Sequence, residues 1–200
     1  MNNNPLSYEY ERDDFYCYPS SSILKNKLNI RDEATLNNAE REISGLRALQ
    51  FVNNPFPEEL DFSYIKKLHK FLFSDVYEWA GETRLVDIRK GNIFCQHELI
   101  EINADALMSE LKSEHYLLES GDDISARLAY YLGDLNSIHP FREGNGRVQR
   151  LFIAELARRA GYALDFSNIT AKEMIIASDR AFNHDYDLLE QIINRSLIKN

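Results

Sequence analysis

Apolar residues recur at helical spacing through most of the chain. Leu36, Ala39, Ile43 and Leu46 follow Asp32 at intervals of three and four, which predicts a helix with a core-facing stripe, ended by Asn53-Asn54-Pro55. Asp61 is placed to cap a second helix carrying Phe62, Ile65, Leu68 and Leu72, closed by the segment Asp75 to Gly81. His97 to Glu119 repeats the pattern with Ile100, Ala104, Leu107, Leu111 and Leu118, until Ser120-Gly121-Asp122-Asp123 breaks it. Ile124, Leu128, Tyr131, Leu132, Leu135 and Ile138 then predict a helix that ends at His139. Beyond a Gly-containing break, Val148, Leu151, Phe152 and Leu156 form a stripe that stops at Gly161. Thr170-Ala171-Lys172-Glu173 is a capping box for a helix through Phe182, and a last amphipathic helix follows Asn183 to Asp187. The fold class is therefore all-α, a helical bundle core. The exception is Thr83 to Cys95, which alternates on either side of Lys90-Gly91-Asn92 and predicts a short β-hairpin. Such a hairpin is marginal alone and leaves N–H and C=O groups unpaired on its outer strand, so it serves either as a cover for the core or as a docking edge.

Composition narrows the function classes. Two hundred residues with 44% hydrophobic content suffice for one compact core, residues 31–200, with residues 1–30 as an N-terminal arm. Tyr8, Tyr10, Phe15, Tyr16 and Tyr18 are expected to pack the arm onto the body, behind a disordered tip at Met1 to Asn4. A net charge of −9 opposes a direct nucleic-acid surface, because phosphate backbones require clustered Lys and Arg. No apolar run of about 18 residues and no leader occurs, so no membrane association is expected. Cys17 and Cys95 lack metal-ligand spacing and suit a reducing cytoplasm, delivery by a specialised secretion system being compatible with the same sequence. His69, His97, His115 and His184 are scattered and are assigned surface or capping roles. Neither a nucleophile elbow nor a P-loop is present.

The chemistry is concentrated in Ile138-His139-Pro140-Phe141-Arg142-Glu143-Gly144-Asn145-Gly146-Arg147-Val148-Gln149-Arg150. Pro140 disfavours helix at His139, and a new helix starts at about Asn145, so the stretch is a loop feeding a helix N-terminus. Amides of Gly144, Asn145 and Gly146 and the helix dipole converge there on an anion site, and both glycines let a phosphate approach the backbone. Arg147 and Arg150 suit a polyphosphate, and Glu143 supplies a hard oxygen ligand for Mg²⁺ shared with phosphate. His139 can take a proton from a hydroxyl near neutral pH. Phe141, an apolar ring in a polar loop, is the anchor that plugs the loop into the core.

His139 to Arg147, with Arg150 following, resembles the HPFx[DE]GNGRxxR signature of Fic domains, which transfer AMP from ATP to hydroxyl side chains of target proteins, and matches it at every position. Val76-Tyr77-Glu78-Trp79-Ala80-Gly81-Glu82-Thr83-Arg84 is similar to the stretch preceding that signature. The resemblance implies the Fic fold with ATP as substrate and Mg²⁺ on Glu143. His139 becomes the catalytic base, and Gly144, Asn145, Gly146, Arg147 and Arg150 bind the phosphates. It also implies that Ile88, Arg89, Lys90, Gly91, Asn92, Ile93 and Phe94 form a flap that pairs with an extended target segment presenting a Tyr, Thr or Ser hydroxyl. Many Fic domains carry an inhibitory Ser/Thr-x-x-x-Glu-Gly/Asn helix, but the one Glu followed by Gly or Asn here is Glu143, inside the signature. The resemblance then points to the compact toxins of the family, restrained by a small antitoxin supplying the glutamate in trans, whose targets are DNA gyrase and topoisomerase IV. The alternatives are a Fic-fold kinase or other phospho-group transferase, which the open Gly144-Asn145-Gly146 run opposes, and a non-catalytic nucleotide-binding interaction module, which His139 and Glu143 oppose.

Overall fold

The computed structural model describes residues 13–51 and 59–199. The expectations for Met1 to Asn4, Tyr8, Tyr10 and the Asn53-Asn54-Pro55 stop lie outside the described residues. The elements are α1 (Glu33–Phe51), α2 (Phe62–Phe73), β1 (Arg89–Lys90), β2 (Asn92–Ile93), α3 (Ile100–Ser113), α4 (Ile124–Ile138), α5 (Asn145–Arg159), β3 (Tyr162–Leu164), α6 (Ala171–Ala181), α7 (Asp187–Ser196) and β4 (Leu197–Lys199). Helix α4 is the hub, because α3, α5, α6 and α7 all pack on it. Its Leu128, Ala129, Tyr131, Leu132 and Leu135 are buried, as are Val148, Phe152, Ile153 and Leu156 of α5. Two buried stripes thus hold the intervening residues 139–144 from both sides. The sequence-read caps form: Asp61 accepts the Tyr64 N–H at 2.8 Å, and Thr170 and Glu173 complete a capping box. Among the described residues, no helix is long and apolar enough to cross a membrane.

Three elements depart from the pattern reading. In α1 the buried face is Leu36, Glu40 and Ser44, while Leu46 is 63% exposed. The face is rotated because Glu40 and Ser44 accept hydrogen bonds from Arg147 of α5. The hairpin is shorter than the alternation from Thr83 to Cys95 predicts, since Arg89 pairs with Ile93 and Lys90 with Asn92, and no further. Helix α3 stops at Ser113, and His115, Tyr116 and Leu117 follow with φ of 51°, 55° and 65°, leaving Leu118 exposed. The antiparallel β3 and β4 pair was not foreseen, because its strands are three residues each and carry no period of their own.

Candidate active site

Helix α4 ends at His139, whose φ of 49° and ψ of 61° are left-handed. Its buried imidazole stacks on the Phe94 ring, with centroids 3.9 Å apart and planes at 17°. Nδ1 lies 3.2 Å from the Asn136 carbonyl oxygen. A carbonyl only accepts, so Nδ1 carries the proton and Nε2 is the nitrogen able to receive one.

The loop after His139 is closed by its own side chains. Asn145 Oδ1 accepts the Phe141 N–H at 2.9 Å, and Asn145 Nδ2 donates to the Phe141 carbonyl at 2.7 Å. Phe141 is buried and stacks on His69 at 3.9 Å. His69 is therefore not a surface or capping residue. It sits in the core, accepts the Gly81 N–H at Nδ1 (2.8 Å) and donates from Nε2 to the Glu143 carbonyl (3.0 Å). Burial pushes its pKa down to about 3, so the ring is neutral and its tautomer fixed. Sequence spacing could not separate His69 from the surface histidines, although its place after Leu68 on the apolar face of α2 was a signal. On the other flank, Arg142 is buried with Asp13, Nε to Oδ2 at 2.9 Å.

Gly144 is required for a reason the motif does not display. Its φ is 83°, and a Cβ there would lie 2.4 Å from the Phe73 ring. Gly144→Ala combines left-handed strain of about 1–2 kcal/mol with an overpacking cost of about 1–3 kcal/mol. It should lower the thermal midpoint, and shortening Phe73 to leucine in the same chain should restore part of the loss, as calorimetry would show.

Helix α5 begins at Asn145 with Gly144 as its N-cap, so no side chain caps its first amides. One turn in, Arg150 is half-buried and is lowered in pKa first by that burial and then by Arg147. It has no acidic partner among the described residues. Gly146 leaves room beside it, since a Cβ there would stand 3.1 Å from Arg150 Nη1. Arg147 is instead engaged by Glu40 and by Ser44 (3.1 Å), with its guanidinium carbon 4.7 Å from the Phe73 ring centre. His139, Gly146 and Arg150 wall a cavity of about 610 Å³ whose far side is the apolar Leu132, Met174 and Phe182. The hairpin roofs it: Gly91, Asn92 and Phe94 line it, and Asn92 Nδ2 donates to Asp179 Oδ1 of α6 at 2.7 Å. Ile88 and Phe94 anchor the hairpin in the core, while Arg89 and Ile93 are exposed.

Glu143 and Asn145 stand behind this wall. The Asn145 side chain is spent on the loop, and Glu143 Oε1 accepts the Gly144 N–H at 2.9 Å, with Arg147 Nη2 3.7 Å away. Burial, and then the nearby Glu40 carboxylate, raise the Glu143 pKa. No group of three His, Cys, Asp or Glu able to cage a metal exists among the described residues. One carboxylate whose charge is under-compensated fits Mg²⁺ held jointly with phosphate oxygens, the usual habit of that ion. The raised pKa also has a stability consequence. A carboxyl that binds its proton more tightly folded than unfolded loses stability as pH rises above the unfolded value. Glu143→Gln should therefore melt higher than the parent at pH 7–8 in metal-free buffer, and the gap should close as pH falls through the ordinary glutamate range.

Arg84, Glu40 and Asp13 complete the site. Sequence reading assigns Arg84 and Glu40 no role there, and Asp13, which beside Asp14 reads as a solvated loop charge, is instead buried because Arg142 of the signature loop pairs with it. Arg84 fills the space behind the hairpin, and the 36, 40, 44 spacing of α1 was a signal that two polar residues share the face of Leu36.

The Fic/DOC family model matches residues 59–157. The chain is similar to protein adenylyltransferase VbhT of Bartonella schoenbuchensis, 40% identical over 186 residues, covering 92% of this chain and 39% of that protein, so it spans well under half of this relative. It is likewise similar to "Probable protein adenylyltransferase y4lH" of Sinorhizobium fredii, 39% identical over 188 residues, which cover 92% of this chain and 96% of that one. Among solved structures, the BepC protein of Bartonella tribocorum with bound AMPPNP superposes with a TM-score of 0.88 at 26% identity, over 92% of this chain and 97% of the other. Matched by the family model over residues 59–157 and 39% identical to y4lH along nearly the whole length of both chains, the chain belongs to the Fic/DOC family.

Proposed function

We propose that the protein is an adenylyltransferase that moves AMP from ATP to a hydroxyl side chain of a target protein. The observation that carries this reading is Arg150, a half-buried cation without an acidic partner among the described residues, across one cavity from a histidine whose Nδ1 faces a carbonyl oxygen. In this reading the triphosphate lies on the uncapped start of α5, with Arg150 on its distal phosphates and the amides of Asn145 and Gly146 at the inner ones. The Gly144 N–H, the Asn145 side chain and Arg147, expected from the sequence on the phosphates, are taken up by Glu143, Phe141 and Glu40 and hold the loop in shape. Glu143 would hold Mg²⁺, which neutralises phosphate charge when bound. The target segment adds to the exposed edge of the hairpin, and its hydroxyl gives a proton to His139 Nε2 while its oxygen attacks the α-phosphorus. The bond from that phosphorus to the bridging oxygen breaks, and pyrophosphate leaves. The apolar side of the cavity is left for the base.

Relatives named adenylyltransferases support the reading, as does the AMPPNP carried by the BepC structure. The chain has no Glu followed by Gly or Asn outside Glu143-Gly144, which favours a toxin restrained by an antitoxin that supplies a glutamate in trans, and hence a gyrase or topoisomerase IV target. The proposed unit is residues 31–200 with the arm 1–30 packed on it, acting in the cytoplasm.

Purified protein incubated with bacterial lysate and ATP labelled at the α- or the γ-phosphate tests this. Label on a protein band from α-labelled ATP alone is expected, and label from γ-labelled ATP alone would make the protein a kinase. Arg150→Ala removes charge-assisted hydrogen bonds worth about 1.5–3 kcal/mol, so ATP affinity by calorimetry should fall about 10- to 100-fold. Unchanged affinity would take Arg150 out of the phosphate site.

A further inference from the structure

We propose that Arg84 is the positioning residue that holds the hairpin and the base in one register, an inference that rests on the reading of the cavity as a transferase site. Arg84 lies in the extended segment before β1 and is 1% exposed. Nε donates to the His139 carbonyl at 2.9 Å, and Nη2 to those of Ile138 (3.3 Å) and Cys95. Nη1 donates to the Val86 carbonyl at 2.7 Å, and the Arg84 N–H to that of Pro140 at 2.9 Å.

These acceptors form two sets. Ile138 and His139 carry the terminal carbonyls of α4, which helix geometry leaves without intrahelical donors. Val86 and Cys95 stand on the two stems of the hairpin. One planar fork therefore caps the helix that delivers the base and fixes how far the hairpin stands from it. The Cys95 N–H, bonded to the Ser137 carbonyl at 3.1 Å, and the Phe94 ring on His139 complete the seam. Arg84 does not line the cavity, so it acts through His139 and the hairpin. Its nearest carboxylate, Asp87, is 3.7 Å away and half exposed, so the guanidinium is held chiefly by carbonyl oxygens. A hydroxyl presented on the hairpin edge reaches Nε2 only if edge and imidazole keep their spacing, and a lysine, as a point charge on a flexible stem, cannot hold four carbonyls at fixed angles.

The test is Arg84→Lys in the full chain. Misplacement by about 1 Å costs about 10²-fold in rate, so transfer to protein should fall by about that factor through kcat and target KM, with ATP affinity unchanged. Amide exchange over residues 88–94 should quicken and the His139 ring nitrogen resonances should shift. A merely structural role would lower ATP affinity and transfer together, and unaltered exchange and resonances would overturn the proposal. If the parent protein transfers no label, the proposed function fails, while the exchange and resonance changes still decide the role of Arg84. If the lysine variant does not fold, the parent decides it: a guanidinium rotating freely on the NMR timescale would overturn the assignment, and hindered rotation supports it.

Discussion

His139→Asn should reduce AMP transfer by about 10²–10⁴-fold, the range for loss of a general base, while ATP affinity stays within about twofold of the parent. Asparagine is the informative replacement. Position 139 has φ 49° and ψ 61°, a conformation that Asn visits far more readily than Ala. Asn cannot take up a proton near neutral pH, so the backbone is kept while the base is lost. His139→Ala should lose the same activity but also some stability, because it removes the stacking on Phe94 and puts Ala in a left-handed position. Comparing α-label transfer with ATP binding by calorimetry separates the roles. A fall in ATP affinity as large as the fall in transfer would mean that His139 organises the phosphate site rather than accepting the hydroxyl proton.

The ends of α4 and α5 were legible because each carries a full apolar stripe, and a proline and two glycines mark the break between them. The burial of the Phe141 ring was legible by contrast with its polar neighbours. What lay beyond reach were polar residues whose environment is tertiary. Glu40 and Ser44 interrupt the stripe of α1 because they face Arg147, so period reading chose Leu46 instead, which is solvent-exposed. His69 needed the Glu143 carbonyl, 74 positions away, to be recognised as a core residue. The need for glycine at 144 was visible as a turn signal, yet the approach of Phe73 from α2 was not. In each case the local sequence supplies the element and a distant partner supplies the reason for the residue.

Asp13→Ala should cost up to about 3–5 kcal/mol, because it removes a buried carboxylate hydrogen-bonded to a buried guanidinium. The side chains of Asp13 and Arg142 are 2% and 1% exposed. Asp13 Oδ1 also accepts the Tyr16 N–H at 3.1 Å, and the Tyr16 hydroxyl accepts the Leu85 N–H at 3.1 Å, so the pair ties the described start of the chain to the signature loop and to the approach of the hairpin. Against a domain stability of about 5–15 kcal/mol that is a large fraction, and it should appear as a lower urea midpoint at unchanged slope. Arg142→Met alone should cost a similar amount by stranding Asp13, whereas Asp13→Leu combined with Arg142→Met should recover most of the loss, since a buried ion pair often stabilises no more than an apolar pair of similar volume. The double variant then separates stability from function. If it folds like the parent but binds ATP more weakly, the ion pair is there to hold Glu143 and the start of α5 in place. If it binds ATP normally, packing of residues 13–17 on the loop is sufficient. A single-variant cost below about 1 kcal/mol would show instead that water reaches Arg142 when Asp13 is gone, and that this part of the chain is not integral to the loop.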